Sequence, residues 1–246
     1  EELCKGHMIA PSTVLVRKAT LEVTGGFDPA IHYGEDWDLW LRLAKRGDFS
    51  LIPKPLAKIR LHLEAQSHVP TLRRVQEELA DHLYILDKNA APEDDLSLEA
   101  IACARANRYA DAGWLSYSLG EIEFAKRCFA QAYSLHPDHF AGDEDFAETV
   151  LRYAMRFGRI RKAWEPVDFV DTVFRNLPDP LQAYGSQGIL LKGRLWMRRG
   201  FESYEAQRWQ EAFRCTLHGV LCDREWLRNR GVRAMLIKSL RRALVG

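Results

Sequence analysis

Three carboxylates, Glu35, Asp36 and Asp38, crowd the entrance of the segment GEDWDLWLRLAKRG (34–47), which is otherwise dominated by tryptophan and leucine. A carboxylate held on a rigid helix end can serve as a general base, worth about 10²–10⁴-fold in rate. Acids in a first turn also stabilise the helix itself, through the macrodipole and by accepting from unpaired N–H groups. Asp38 stands four residues before Arg42, so the spacing predicts an i, i+4 ion pair and a structural role. Glu35 and Asp36 are adjacent and point about 100° apart on a helix, so one can cap while the other works. Further on, LAKIRLH (56–62) alternates Ala57, Ile59 and Leu61 with Lys58, Arg60 and His62, giving a strand with one wholly cationic face.

These groups need elements to position them. STVLVRK (12–18) alternates Val14 and Val16 with polar neighbours and reads as a half-buried strand, followed by the loop GGFDP (25–29). From Glu35 to Lys45, Trp37, Trp40, Leu41 and Ala44 fall on a helical stripe, with Gly47 as a stop. FSLIP (49–53) reads as another short strand. The fold class expected for residues 1–88 is α/β.

From about Pro70 the pattern is helical, interrupted at 89–95, 136–145 and 176–185, so residues 89–246 are expected to form an all-α domain of helical hairpins. Gly113, Gly120, Ala125, Phe129, Ala132 and Pro137 have spacings that resemble a tetratricopeptide repeat, and Gly200, Ala212 and Gly219 keep part of the same pattern. Trp114, Trp164, Trp196, Trp209 and Trp226 sit among apolar neighbours and are expected in the core.

The composition sets outer limits. The chain has 246 residues, 47% of them hydrophobic and 28% charged, as in ordinary globular domains. Thirty-five basic against thirty-four acidic residues leave +1, which supplies no global field for nucleic acid, and none is expected as a partner. Five scattered cysteines without a C-x-x-C spacing fit neither a disulfide framework nor a zinc site, and suggest a cytoplasmic location. No apolar run reaches the roughly 20 residues of a membrane span. The segment 224–242 carries seven Arg and Lys residues against Glu225, with Val232, Met235, Leu236 and Leu240 on a stripe. It is either a packing helix with a solvated basic face or a peripheral contact with the inner face of a membrane.

Taken in order, the STVLVRK strand, the GGFD loop, the E-D pair opening a W-x-L-W-L-R-L helix and the later R-x-H strand resemble the C-terminal half of the catalytic domain of inverting family 2 glycosyltransferases, which have the GT-A fold. The resemblance covers about residues 7–70; the helical remainder, including LRNRGVRAMLIKSL, resembles accessory tails of some bacterial members. It implies that Asp36 is the general base, deprotonating an acceptor hydroxyl that attacks the anomeric carbon of a nucleotide sugar. Glu35 would bind the acceptor or cap the helix, Gly25 and Gly26 would let backbone approach ligand, and Asp28 would bind acceptor or shape the turn. Arg60 or Lys58 would face the donor phosphates, and His62 would help hold a divalent metal (Mg or Mn) whose main D-x-D ligand lies outside this chain.

The implied partners are a nucleotide-sugar donor and a saccharide or lipid-linked acceptor, in bacterial polysaccharide biosynthesis. The nucleotide-binding half is missing and there is no initiator methionine, so the chain is expected to be a piece of a longer protein and inactive alone. The alternative is a non-catalytic helical-repeat module that binds a protein partner.

Overall fold

A computed structural model describes residues 3, 4, 6, 9–58, 71–90, 97–140, 143–160 and 166–245. By their contacts they form two units, Glu1–Phe140 and Ala141–Gly246. Position 88/89 lies within the first unit, near the C-terminal end of a helix that packs on the next one.

The first unit contains α1 (Lys18–Thr24), α2 (Glu35–Ala44), α3 (Leu72–Asn89), α4 (Leu98–Leu119) and α5 (Ile122–Leu135), with 3-10 turns at Pro11–Thr13 and Pro137–Phe140. Thr71 and Ser97 start α3 and α4 as side-chain caps, accepting from the N–H groups of Arg74 and Ala100. Helix α2 is buried on a broader face than its stripe predicts: Leu39 and Leu43 are inside with Trp37, Trp40 and Leu41, whereas Ala44 is exposed. Trp37, Leu41 and Ile31 pack with Ile85 and Leu86 of α3 and Ala104 of α4. The other side of α2, Leu39, Trp40 and Leu43, is covered by Ile9, Val14, Val16 and Leu21. Both indoles are tied down, Trp37 Nε1 donating to Leu3 O at 2.7 Å and Trp40 Nε1 to Ile9 O at 3.0 Å.

The second unit contains α6 (Asp143–Ile160), α7 (Pro166–Arg175), α8 (Gln187–Glu205), α9 (Trp209–Cys222) and α10 (Arg230–Val245), with 3-10 turns at Asp179–Tyr184 and Arg224–Arg228. Phe169, Val170 and Val173 of α7 are fully buried, and Phe146 stacks on Tyr184 at 4.5 Å. Asn229 starts α10 by accepting from the N–H of Gly231 at 2.8 Å, which separates it from the turn before. Among the described residues no helix is long and apolar enough to cross a membrane.

The α/β expectation is overturned: no β-strand occurs among the described residues. Segment 12–18 becomes the end of a 3-10 turn, an extended stretch at 14–17 and the first residue of α1. Alternation makes a segment compatible with a sheet, but a strand exists only where a neighbour's backbone completes the ladder. Val14 and Val16 instead use their side chains to cover α2. Residues 49–58 are non-helical and exposed throughout, without a ladder partner among the described residues; Ile59, Arg60, Leu61 and His62 lie outside those residues.

Candidate functional site

At the head of α2 the three acids separate. Asp38 is fully buried; its Oδ2 accepts from Arg42 Nε and Nη2 at 2.9 and 2.7 Å, and its Oδ1 accepts from Asn89 Nδ2 at 3.0 Å. Arg42 also donates to the carbonyls of Thr24 and Gly26, both at 2.7 Å, holding the end of α1 against α2. Lys88 reaches across from α3 to Asp28 Oδ2 at 2.6 Å and to Asp38. The Lys88 ammonium and the Ala30 N–H hold the Asp28 carboxyl below its ordinary pKa. Burial opposes the charge on Lys88, yet the two carboxylates outweigh it and its pKa lies above the usual lysine value. A charge buried at Asp38 is tolerable only with such partners.

Asp36 is half-buried and its Oδ1 accepts from the N–H of Trp37 at 2.8 Å, a contact of the helix N-terminus; Glu35 is exposed. Gly25 and Gly26 have φ of 90° and 68°, and a Cβ on either would meet nothing within 4 Å. Left-handed backbone at and just after the end of α1 is the conformational reason for these glycines. Asp28 Oδ1 accepts from Ala30 N–H at 2.9 Å, so it shapes the turn as well as holding Lys88. Arg60 and His62 lie outside the described residues, and among those described no group of three or more metal-ligating side chains gathers.

Helix α3 supplies residues that the sequence reading passed over. Asp81 accepts from the N–H groups of His32 and Tyr33 at 2.8 and 2.9 Å, capping the exposed backbone before α2. Half-buried His82 meets Trp37 edge-on, with ring centroids 5.4 Å apart, and burial together with the nearby Arg108 charge lowers its pKa to about 4. Asp81, Ile85, Lys88 and Asn89 recur at helical spacing on the side that meets α2. That periodicity, charged residues in register with a buried isoleucine, was the available signal.

The second constellation is a pair of hairpins, α4/α5 and α8/α9. Gly113 and Gly200, Ser116 and Ser203, Tyr117 and Tyr204, Ala125 and Ala212, and Cys128 and Cys215 match at one constant offset. Their turns match too: the N–H of Glu121 donates to Ser116 O, and that of Arg208 to Ser203 O. Gly120 and Gln207, which precede them, both have positive φ. A Cβ on Gly113 would lie 2.7 Å from the Phe129 ring, and one on Gly200 would lie 2.6 Å from Thr216 Oγ1, so small residues set how closely each pair approaches. Trp114 is buried against Phe129, while Trp196, stacked on His218, and Trp209 and Trp226 are partly buried; Trp164 lies outside the described residues.

The resemblance to family 2 glycosyltransferases does not stand, because a GT-A domain is built on a β-sheet and the described residues hold helices and irregular segments only. With it goes the description of the chain as a glycosyltransferase domain carrying a tetratricopeptide-like tail; what the structure supports is a helical, bundle-like fold. No protein-family model, curated protein or solved structure matches the chain.

Proposed function

We propose that this chain is a non-catalytic helical-repeat module whose paired helices hold a protein partner. The observation that carries the reading is the repeated hairpin: the same small-residue contacts and the same turn recur in α4/α5 and α8/α9. Repeated helical hairpins are scaffolds whose outward faces vary while the packing positions stay fixed. Here the outward positions Ala130 and Ser134 of α5 correspond to Leu217 and Leu221 of α9. Leu217 and Leu221 are 38% and 64% exposed and one helical turn apart, forming an apolar ridge on the second hairpin.

The test compares crosslinked partners of the wild-type chain and of Leu217→Glu/Leu221→Glu, with circular dichroism to verify folding. The expected result is one specific protein retained by the wild type and lost from the variant. Identical partner profiles would overturn the assignment of the ridge. Turnover of a nucleotide sugar that Asp36→Asn abolishes would overturn the non-catalytic reading altogether.

A further inference from the structure

Helix α10 has two apolar stripes. The first turns inward: Val232 and Met235 pack on Met197 and Val220, with Leu236 beside them, and Ser239 is buried on the same side. The second turns outward. Ile237, Leu240 and Leu244 are 55%, 40% and 77% exposed, and their spacing of three and four residues aligns them on one face. Arg230, Arg233 and Arg241 are exposed around that stripe, and the helix contains no Asp or Glu. Among the described residues none of these three arginines has a carboxylate partner.

Packing of α10 onto its unit is complete with the first stripe, so it does not account for the second. A surface that covers the second must accept aliphatic side chains and at the same time bring negative charge to three arginines. An anionic bilayer does both: the aliphatics enter the boundary between headgroups and acyl chains while the guanidinium groups extend along their stems to the phosphates. The exposed side of a single helix is also a ridge, which fits a flat lipid surface better than it fits an extended peptide, whose recognition needs a groove or a sheet edge.

We propose that α10 docks the protein onto an anionic phospholipid surface, with Ile237, Leu240 and Leu244 inserted and Arg230, Arg233 and Arg241 at the headgroups. This surface is on a different helix from the Leu217/Leu221 ridge, and the proposal does not depend on a protein partner there.

The test is sedimentation of the 246-residue chain with vesicles of phosphatidylcholine alone and with vesicles in which a third of the lipid is phosphatidylserine. Binding is expected only to the anionic vesicles, and it weakens as salt is raised. Arg233→Glu/Arg241→Glu reverses two charges, each worth about fivefold in affinity when merely removed, so the loss exceeds about twentyfold. Ile237→Ser/Leu244→Ser keeps the charge and lowers affinity by about tenfold. All four positions are exposed, so unchanged thermal melting of the variants separates lost binding from unfolding. Absence of binding to anionic vesicles at low salt, or binding that neither double variant weakens, overturns the proposal. So does capture by a soluble polyglutamate peptide in place of vesicles, which would assign the face to an acidic protein segment.

Discussion

At the scale of single residues, the acids of α2 differ in environment far more than in chemistry. Asp38 is buried among Arg42, Lys88 and Asn89, whereas among the described residues Asp36 has one hydrogen bond, from the N–H of Trp37. Removing one member of a buried ion network leaves its partners uncompensated at a cost of about 3–5 kcal/mol. Urea unfolding of Asp38→Ala should therefore show a loss of that order, while Asp36→Asn, which keeps an oxygen acceptor, should lose less than about 1 kcal/mol. His82 supplies a pH dependence. Its pKa is about 4 in the fold against 6.5 ordinarily, so between those values the unfolded chain binds the proton and the folded chain does not. Stability is complete above the upper value and declines as pH falls through the window. Denaturation midpoints measured across that range should fall with pH in the wild type and vary less in His82→Gln.

At the scale of elements, steric contact between helices decides which residues matter. A Cβ at Gly200 would meet the side chain of Thr216 at 2.6 Å and its backbone N at 3.2 Å, and the backbone cannot swing aside as a side-chain tip can. Gly200→Ala should thus destabilise by about 1–3 kcal/mol despite the better helix propensity of alanine, and thermal unfolding of the variant checks this. Helix α2 and the helical character beyond Pro70 were legible in the sequence, whereas α1 was not. Apolar periodicity located α2, the breaks at 136–145 and 176–185 follow the ends of α5 and α7, the first of them running into the opening turn of α6, and the Asp38–Arg42 pair followed from its spacing; most of 89–95 lies outside the described residues. Strands were not legible in the same way. The alternation of Val14 and Val16 is a local property, whereas a ladder requires a second segment that local pattern cannot supply. Likewise Lys88 and Asn89 complete the site around Asp38 from far along the chain, and nothing near Asp38 in sequence announces them. The partial match at Gly200, Ala212 and Gly219 understated the second hairpin, because its shared features reside in turn hydrogen bonds as much as in residue identity.

At the scale of the whole molecule, the near-neutral total conceals a division. Residues 1–140 carry 21 acids and 16 bases, and residues 141–246 carry 13 acids and 19 bases. The first unit is thus net acidic and the second net basic, which places the cationic surface of α10 in the unit whose field reinforces it. Each unit also has its own buried clusters, around Trp37, Leu41 and Ile85 in one and around Met197, Val220 and Met235 in the other. Residues 143–246 produced separately are expected to keep their helical circular dichroism, and the intact chain to melt in two steps of which one matches that fragment. A single transition with an unfolded fragment would refute this.

The matched cysteines of the two hairpins give each unit an internal clock. Cys128 and Cys215 are buried, and burial pushes the Cys128 thiol up to about 12, so neither can be alkylated until its hairpin opens. Labelling of each thiol by an excess of iodoacetamide, resolved by peptide mass spectrometry, would then read the opening frequency of α4/α5 and of α8/α9 independently. Gly200→Ala should quicken labelling at Cys215 and leave Cys128 unaffected, so that the lifetimes of the two hairpins become measurable within a single polypeptide.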